Sequence, residues 1–335
     1  MSQCLYRQIR QLIDAADHVL LLTDERIDGD TLGSTLGMAH VLEAMEKRVS
    51  VYSPKELPTM FAFMPGQEKI LRDSSVFLDD SIDLVMIFDC SDGAYISERD
   101  KVPSMKHRVP LVVVDHHRTN PRYGTVNMIE EDAASTADVV WRFVQAQDLP
   151  MTREAAQCIL TGICHDTNAF STSNTTAACM DAAHELSRYG ARLQEIVRET
   201  MMNKSVETLR LWGLAFERLH DNPEFDAVCT ALTQKDLKAL NVTTADTKHM
   251  INFLNAMLDD VDVILVLKET DDGAVKGSLR SHRRDVAKMA AKFGGGGHRR
   301  AAGFKIENAR LVEKDGAWFI DVVVENEGAP PRKST

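Results

Sequence analysis

Short apolar runs alternate with stretches of helical periodicity along the first half of the chain. The apolar runs predict buried strands, because a strand covered on both faces has no polar side to expose. They lie at 18–23, 49–53, 84–89 and 109–115. Apolar residues at helical spacing predict helices at about 32–47, 136–147 and 153–165. Strands that alternate with helices form parallel βαβ units, so we expect an α/β fold with a doubly wound parallel sheet in this half.

A helical segment at about 191–220 is expected to join this sheet domain to a second lobe. Leu209, Trp212, Phe216 and Leu219 fall on one stripe of that segment. Such a stripe needs a partner, which is either the rest of the same chain or a second copy in a homodimer. The sequence leaves both arrangements open.

The second half carries the pattern of a smaller α/β lobe. Its strands are predicted at 226–232, 261–269, 274–281, 300–306 and 317–325, and its helices at about 244–258 and 285–293. We therefore divide the chain into a sheet domain at 1–190, a helical linker at 191–224, a second domain at 225–328 and a disordered tail at 329–335. A cleft between the two lobes is the expected place for an active site.

Acidic residues and histidines follow the predicted strands at the points where the strands end. The carboxyl ends of parallel strands meet at one edge of a sheet, and that edge forms the binding crevice of open α/β folds. Asp166 closes an apolar helix and is expected to reach the same edge. The full set is Asp24, Asp28, Asp30, Asp89, Asp115, His116, His117 and Asp166.

So many carboxylates in one crevice repel one another, which raises their pKa values and destabilises the fold. Divalent cations would remove that repulsion. Asp and His ligands without thiolates favour Mn²⁺ or Mg²⁺, and a pair of such ions is the usual device for hydrolysing a phosphoester. Each motif alone also has a local explanation. Asp-Gly-Asp at 28–30 is typical of a turn, and a single Asp after a strand often caps a helix.

Composition and charge narrow the set of partners. The chain of 335 residues is 44% hydrophobic and 27% charged, which is typical of a globular protein. No apolar run approaches the roughly 20 residues that span a bilayer. The N-terminus lacks an apolar signal core, so we expect a cytoplasmic location without a membrane partner. The six cysteines form no CxxC pair, which disfavours a zinc site. A net charge of −11 argues against binding long duplex DNA.

One segment reverses this acidic character. Residues 275–305 hold nine Lys or Arg residues and a single acidic residue, Asp285. Four consecutive glycines in the segment could bring backbone N–H groups close to an anion, and arginines suited to phosphate follow them. A small anionic ligand or a short strand is the expected partner. The residues expected to bind it are Arg280, Ser281, Gly295, Gly296, Gly297, His298, Arg299 and Arg300.

Several motifs together resemble those of a known family. DGD at 28–30, Asp89, DHH at 115–117 and GICHDTNAFSTSNTT at 162–176 resemble the motifs of the DHH phosphoesterase superfamily. GGGGHRRAAGF at 294–304 resembles the signature of the DHH-associated C-terminal domain. Their order and spacing are similar to those of the bacterial nanoRNase/pAp phosphatase group.

This resemblance implies a centre with two divalent metal ions, Mn²⁺ as the first choice and Mg²⁺ as the second. The ligand sets would be Asp28, Asp89 and Asp24 for one ion, and Asp30, Asp89, His116 and Asp166 for the other. His117 would orient the substrate or donate a proton. Asp115 would hold a histidine through a hydrogen bond.

One position departs from the family pattern. The first motif usually begins with His, and Asp24 stands in that place. Three outcomes are open for this position. Asp24 could keep the site as a more oxygen-rich one, the site could be only weakly occupied, or a bent loop could bring Glu25 into the ligand position.

The activity that the resemblance implies is phosphoester hydrolysis by attack of a metal-activated hydroxide. The substrates would be oligoribonucleotides of about two to five nucleotides, cut to 5′-monophosphates, and 3′-phosphoadenosine 5′-phosphate (pAp), converted to AMP. One alternative is a phosphodiesterase for linear or cyclic dinucleotides such as pGpG, pApA or c-di-AMP. An alternative of another class is a nucleotide-binding sensor without catalysis.

Overall fold

The computed structural model describes residues 2–53, 55–93, 101, 109–172, 174–223, 225–247, 250–258, 260–314 and 316–322. The chain divides into two compact units, Met1–Asn203 and Lys204–Thr335. The segment proposed from the sequence as a linker, 191–224, is divided between the two units at 203–204. The proposed tail at 329–335 lies outside the described residues.

Five parallel strands form the sheet of the first unit. They are β1 (His18–Leu22), β2 (Arg48–Tyr52), β3 (Leu84–Phe88), β4 (Leu111–Asp115) and β5 (Val126–Ile129). Their order in the sheet is β2-β1-β3-β4-β5, and each neighbouring pair is parallel. Every residue of β1, β3 and β4 is buried, as expected for strands covered on both faces. The predicted α/β fold with a parallel sheet is confirmed.

Helices cover one face of this sheet. Those of the described part of the first unit are α1 (Ser2–Ala15), α2 (Gly29–Ala44), α3 (Thr136–Ala146), α4 (Arg153–Asp166), α5 (Ala177–Arg188) and α6 (Leu193–Val197). Val19 and Met86 of the strands pack against these helices. Their neighbours Leu20 and Val85 point to the opposite face and pack against the 3₁₀ turn Ser74–Leu78. The alternation of strand side chains therefore gives the sheet two separate cores.

Helices α2 and α4 approach each other closely because Gly33 has no side chain. A Cβ added to Gly33 would lie 2.6 Å from the carbonyl oxygen of Cys158 and 2.6 Å from the backbone nitrogen of Gly162. Both atoms belong to the backbone of α4, so neither can move aside as a flexible side chain would. This approach holds the N-terminus of α2, and the acidic residues on it, against α4.

We expect Gly33→Ala to lower the free energy of unfolding by about 1–3 kcal/mol, because the new methyl group overpacks the helix contact. Gly213 lies inside a helix of the second unit with no atom within 4 Å of its missing Cβ. Gly213→Ala should therefore raise the free energy of unfolding by about 0.5–1 kcal/mol through helix propensity. Denaturant melts of the two variants give the comparison. Equal effects would contradict the described helix contact.

The second unit is built on a mixed sheet. Its helices are α7 (Val206–Glu217), α8 (Gln234–Leu240), α9 (Met250–Met257) and α10 (Val286–Ala291). Its strands are β6 (His220–Asn222), β7 (Ala227–Leu232), β8 (Ile264–Glu269), β9 (Val275–Arg280), β10 (Gly296–His298), β11 (Ala301–Ile306), β12 (Ala309–Lys314) and β13 (Ala317–Val322). The sheet has the order β10-β11-β9-β8-β7-β6, and β12 and β13 pair as a separate hairpin.

The apolar stripe predicted at 209–219 packs mainly inside the second unit. Trp212 is buried on α7 and shares a core with Ile264 and Val266 of β8. Phe216 and Leu219 pack against the same core, whereas Leu209 is exposed. The stripe thus finds its partner within the chain, and a homodimer stays a prediction. Among the described helices, none is long and apolar enough to cross a membrane.

Candidate metal and catalytic centre

The acidic residues predicted at the sheet edge lie around the crevice between β1 and β3. The chain leaves β1 towards β2 on one side and later returns to β3 on the other, so this crevice is the topological switch point of the sheet. Asp28 and Asp30 follow β1, Asp89 follows β3, and Asp115 is the last residue of β4. Ligands of open α/β sheets bind at this place.

Asp28 has two roles that the sequence presented as alternatives. Its Oδ1 accepts hydrogen bonds from the backbone N–H groups of Asp30 and Thr31, at 2.9 and 3.1 Å, and so caps helix α2. Its Oδ2 lies 3.9 Å from Nδ1 of His165. One carboxylate oxygen is therefore used in the fold, and the other faces the centre.

Asp30 is fully buried at the N-terminus of another helix. Its two carboxylate oxygens accept the backbone N–H groups of Thr136 and Ala137, at 2.7 and 2.9 Å. These residues begin helix α3, whose N-terminus carries a partial positive charge. The end of α3 therefore compensates part of the charge of Asp30.

Asp89 occupies the middle of the cluster in an unusual backbone conformation. Its φ angle is +55°, in the left-handed region that costs a non-glycine residue about 1–3 kcal/mol. The hydroxyls of Thr31 and Thr136 donate to its two carboxylate oxygens, at 2.8 and 3.0 Å. Strain held in place by such contacts is typical of a functional site.

Asp115 holds His117 through a short hydrogen bond. Its Oδ1 lies 2.7 Å from Nδ1 of His117 and also accepts the backbone N–H groups of His116 and His117. Its Oδ2 accepts the side-chain amide of Asn120 at 2.7 Å. The contact with a histidine expected for Asp115 is thus present, and it fixes the orientation of the His117 ring.

Histidine and carboxylate atoms converge here at distances suited to shared cations. Nε2 of His116 lies 3.4 Å from Oδ2 of Asp166 and 3.9 Å from Oδ1 of Asp89. The described residues contain three groups whose ligand atoms lie within 4.8 Å of one another. They are Asp89, Asp115, His116 and His117; Asp28, His165 and Asp166; and Asp30, His116 and Asp166.

The electrostatics of the cluster favour a bound cation. Burial raises the pKa of Asp30 and Asp89 well above the usual range, and the neighbouring carboxylates raise it further. Burial would also raise the pKa of Asp166, but hydrogen bonding to His165 and the charges of the nearby histidines outweigh it and leave that pKa low. The charged forms of Asp30 and Asp89 are therefore disfavoured, and a divalent metal, which binds carboxylates in that charged form, would stabilise them.

Two histidines of the cluster, His117 and His165, have raised pKa values. Burial lowers the pKa of His117, but the hydrogen bond that its ring donates to Asp115 reverses this effect and raises the pKa above the usual value. The pKa of His165 is raised to about 9, because the contacts with Asp166 and Asp28 outweigh the effect of burial. Both rings are thereby biased towards the imidazolium form when no metal is bound.

Asp24 lies apart from the three groups of candidate ligands. It is buried, and its carboxylate accepts the backbone N–H and the guanidinium of Arg26, two residues further along the chain. Glu25, the other oxygen donor considered for this position, forms an ion pair with Lys55 at 3.2 Å. The fold therefore brings together seven of the eight predicted residues and directs the carboxylate of Asp24 to Arg26.

Four residues that contact the cluster were not predicted as part of it. Thr31 and Thr136 bind Asp89, Asn120 binds Asp115, and His165 lies between Asp28 and Asp166. Ser135 caps helix α3 by accepting the N–H of Asp138. Thr136, the first residue of that helix, instead directs its hydroxyl to Asp89. The sequence signal that could have predicted this contact is the pair Ser135-Thr136 at the start of a helix near the sheet edge.

The predicted anion-binding residues of the second unit surround one hairpin. Gly296–His298 forms strand β10 and pairs with Ala301–Gly303, so Arg299 and Arg300 form the exposed turn. The glycine run is therefore partly a strand and not only a loop. The N–H of Gly295 donates to the carbonyl of Ala290 at the end of α10, so this group is used in the fold.

Arg280 and Ser281 adjoin this hairpin. Arg280 lies opposite Ala301 in the sheet, and burial lowers the pKa of its guanidinium. The hydroxyl of Ser281 accepts the N–H groups of Arg283 and Arg284, at 3.1 and 2.7 Å, and thereby holds the turn that follows β9. The fold thus places the predicted residues Arg280, Ser281 and 295–300 at one corner of the sheet.

Two family models match the chain. The N-terminal domain of the DHH family matches residues 18–163, and the DHHA1 domain matches residues 229–323. The chain combines a DHH-family domain with a DHHA1 domain. The resemblance drawn from the motifs is confirmed, and the acidic cluster described above lies in the DHH-family part and just beyond its matched end.

Similar proteins share this arrangement along their length. The DHH-family chain is 29% identical to the bifunctional oligoribonuclease and PAP phosphatase NrnA of Thermus thermophilus, over 91% of this chain and 89% of the relative. It is 25% identical to the cyclic-di-AMP phosphodiesterase PdeA of Listeria monocytogenes, but it covers only 48% of that protein. A crystal structure of an exopolyphosphatase-related protein from Bacteroides fragilis superposes with a TM-score of 0.81. That structure is 25% identical, and the alignment covers 90% of this chain and 91% of the other.

Proposed function

We propose that this protein is a metal-dependent phosphoesterase that hydrolyses short oligoribonucleotides and pAp. The observation that carries the proposal is the cluster of buried and half-buried aspartates and histidines at the switch point of the DHH-family sheet. The likeness to a bifunctional oligoribonuclease and PAP phosphatase over about nine-tenths of both chains supports the same substrates. The smaller coverage of the cyclic-di-AMP phosphodiesterase makes cyclic dinucleotides the second candidate.

The donor set of the cluster suits two oxygen-preferring divalent ions. Asp28 and Asp89 would hold one, and Asp30, Asp89, His116 and Asp166 the other, with Asp89 shared between them. The raised pKa values of Asp30 and Asp89 fit this assignment, because a cation supplies the positive charge that the buried carboxylates lack. Carboxylates with a minority of imidazoles and no thiolate favour Mn²⁺, with Mg²⁺ as the second choice.

When bound, such ions would lower the pKa of a water and neutralise phosphate charge. The residues around the ions would orient the ligands and donate a proton to the leaving oxygen. Because Asp115 holds His117 at Nδ1, Nε2 is the ring nitrogen that would donate a proton to the leaving oxygen. Asn120 holds the other oxygen of Asp115 and so keeps the pair in place. Thr31 and Thr136 orient Asp89 between the two ligand sets.

The second unit would bind the nucleotide end away from the bond that is cut. Arg299 and Arg300 at the hairpin turn, with Arg280 beside them, offer guanidinium groups for a terminal phosphate. Arg283 forms an ion pair with Asp262, and Arg284 forms one with Asp226. We therefore do not include these two arginines among the phosphate-binding residues. A net basic segment, 275–305, in a chain with net charge −11 favours a short anionic substrate over long RNA.

The test is a hydrolysis assay on metal-stripped protein. The substrates are pAp, pGpG, an RNA of five nucleotides, an RNA of 24 nucleotides and c-di-AMP, each with Mn²⁺, Mg²⁺ or no metal. We expect metal-dependent hydrolysis of pAp and of the short linear substrates, with the long RNA spared.

Two other results would each overturn the proposal in a distinct way. Hydrolysis of c-di-AMP in preference to every linear substrate would establish the second candidate. Tight nucleotide binding without turnover of any substrate would establish the sensor.

A further inference from the structure

Asp24, which stands where the first motif usually has histidine, already forms an ion pair with Arg26. Arg26 donates its Nε and Nη2 to Oδ2 of Asp24, both at 3.1 Å, and its backbone N–H to Oδ1. Nη2 of Arg26 also donates to the hydroxyl of Ser91, at 3.3 Å. Only the Asp24 side of this ion pair is buried, since the Arg26 side chain is 53% exposed, and a cation at Asp24 would have to displace the guanidinium.

A histidine from another element occupies the place next to Asp28. Nδ1 of His165, on α4, lies 3.9 Å from Oδ2 of Asp28 and 3.5 Å from Oδ1 of Asp166. Among the described residues, the one group of candidate ligands that includes Asp28 consists of Asp28, His165 and Asp166. The side chain of His165 is 19% exposed, so its ring is largely removed from water.

The packing around His165 fixes its ring in this position. A Cβ on Gly29 would lie 2.6 Å from both Cβ and Cγ of His165, so the ring fits only because residue 29 is glycine. On another side, the ring meets Phe61 edge-on, with centroids 5.8 Å apart. The ring is therefore packed between α2 and α4, and these contacts restrict its rotation.

The distances suit joint coordination of one cation. Two ligand atoms each about 2.1 Å from an octahedral ion lie about 3.0 Å apart when adjacent and about 4.2 Å apart when opposite. The separations of 3.5 and 3.9 Å exceed the adjacent spacing by less than about 1 Å, so small side-chain movements would bring the atoms to it. A cation bound by Oδ2 of Asp28, Nδ1 of His165 and Oδ1 of Asp166 would take the place of the present contacts between these atoms. The backbone would not have to move far.

We infer that His165, and not Asp24, is the further ligand of the cation held by Asp28, and that it supplies an imidazole nitrogen. The DHH-family centre would thereby keep a nitrogen ligand at this ion although the first motif has lost its histidine. Asp24 and Arg26 would then form a neutral pair that supports the loop between β1 and α2. This inference rests on the metal centre of the proposed function and adds His165 and Oδ1 of Asp166 to the ligands of the ion held by Asp28.

The test measures metal binding without any substrate. Metal-stripped full-length protein is titrated with Mn²⁺, and free Mn²⁺ is read from its electron paramagnetic resonance signal. The variants are His165→Gln and Asp24→Asn, which preserve approximate size. His184→Gln is the matched control, because His184 is exposed on α5 and has no place in the centre. Thermal melts of the metal-stripped proteins check that each variant is folded.

We expect two Mn²⁺ ions per wild-type chain and a loss of affinity for one of them in His165→Gln, by at least about tenfold. Asp24→Asn and His184→Gln should bind both ions within about twofold of wild type. Unchanged Mn²⁺ binding in His165→Gln, or a selective loss in Asp24→Asn, would overturn the inference. In either case the hydrolysis assay on the wild type could still support the proposed function. Failure of the wild-type chain to bind Mn²⁺ would instead remove the proposed function itself.

A second readout does not depend on how well the His165 variant folds. Wild-type protein with ¹⁵N-labelled histidine is loaded with Mn²⁺, and pulsed resonance counts the nitrogens coupled to the metal. Coupling from two histidines, His116 and His165, is expected. Coupling from a single histidine would contradict the assignment.

Discussion

Asp89→Asn should reduce hydrolysis of pAp and short RNA by about 10³-fold or more, and should also stabilise the metal-stripped protein. The loss follows because Asp89 would be shared by both ligand sets, so removing its charge weakens both. The gain in stability follows because burial and the other carboxylates already raise the pKa of Asp89. Asparagine keeps the shape and can still bond the hydroxyls of Thr31 and Thr136.

This pair of opposite effects is measured by steady-state kinetics with Mn²⁺ and by thermal melts without metal. Asp181→Asn is the control, because Asp181 is exposed on α5 and its charge faces water. The control should leave both quantities unchanged. An Asp89→Asn variant with near wild-type hydrolysis would contradict the assignment of a shared ligand. Destabilisation without metal would contradict the described crowding of charge.

His117→Gln should lower kcat by about 10²–10³-fold while leaving Mn²⁺ binding within about twofold of wild type. The reason is that His117 is bound to Asp115 through Nδ1 and would serve the leaving oxygen, not a metal. Glutamine fills a similar volume but cannot carry the transferred proton. The measurement is kcat for pAp under saturating Mn²⁺, alongside an Mn²⁺ titration of the same preparation.

The combination of results separates this role from that of Asp89. Loss of activity with metal retained identifies a group that acts on the substrate. Loss of one Mn²⁺ ion in His117→Gln would make His117 a ligand and remove its proposed role. Asp115→Asn should show a weaker version of the His117→Gln effect, because it releases the ring without removing it.

The sheet and its edge could be predicted because local sequence decides them. Strands β1, β3 and β4 are wholly buried, so each appears as an uninterrupted apolar run, and the acidic residues follow directly. Strand β5 was not predicted, since it is half-buried and only four residues long. Helix α1 was also not predicted, although Tyr6, Ile9 and Ile13 recur at helical spacing there and are buried.

The finer structure of the centre depends on contacts that sequence spacing does not reveal. Thr136 and Asp89 are 47 positions apart, and they meet only because the N-terminus of α3 reaches the sheet edge. His165 was not predicted as part of the cluster, and its position beside Asp28 depends on the close approach of α2 and α4. The pairing of Asp24 with Arg26 is local, and a basic residue two positions after a buried acid was a usable signal.

The most direct test of the account is a titration of metal-stripped wild-type protein with Mn²⁺ during hydrolysis of a three-nucleotide RNA. Bound Mn²⁺ and released 5′-monophosphate are recorded in the same samples. The account predicts no hydrolysis without metal, and hydrolysis that rises with bound Mn²⁺ and saturates at two ions per chain. Equal hydrolysis with and without metal would contradict it, as would full occupancy by Mn²⁺ with the RNA left intact.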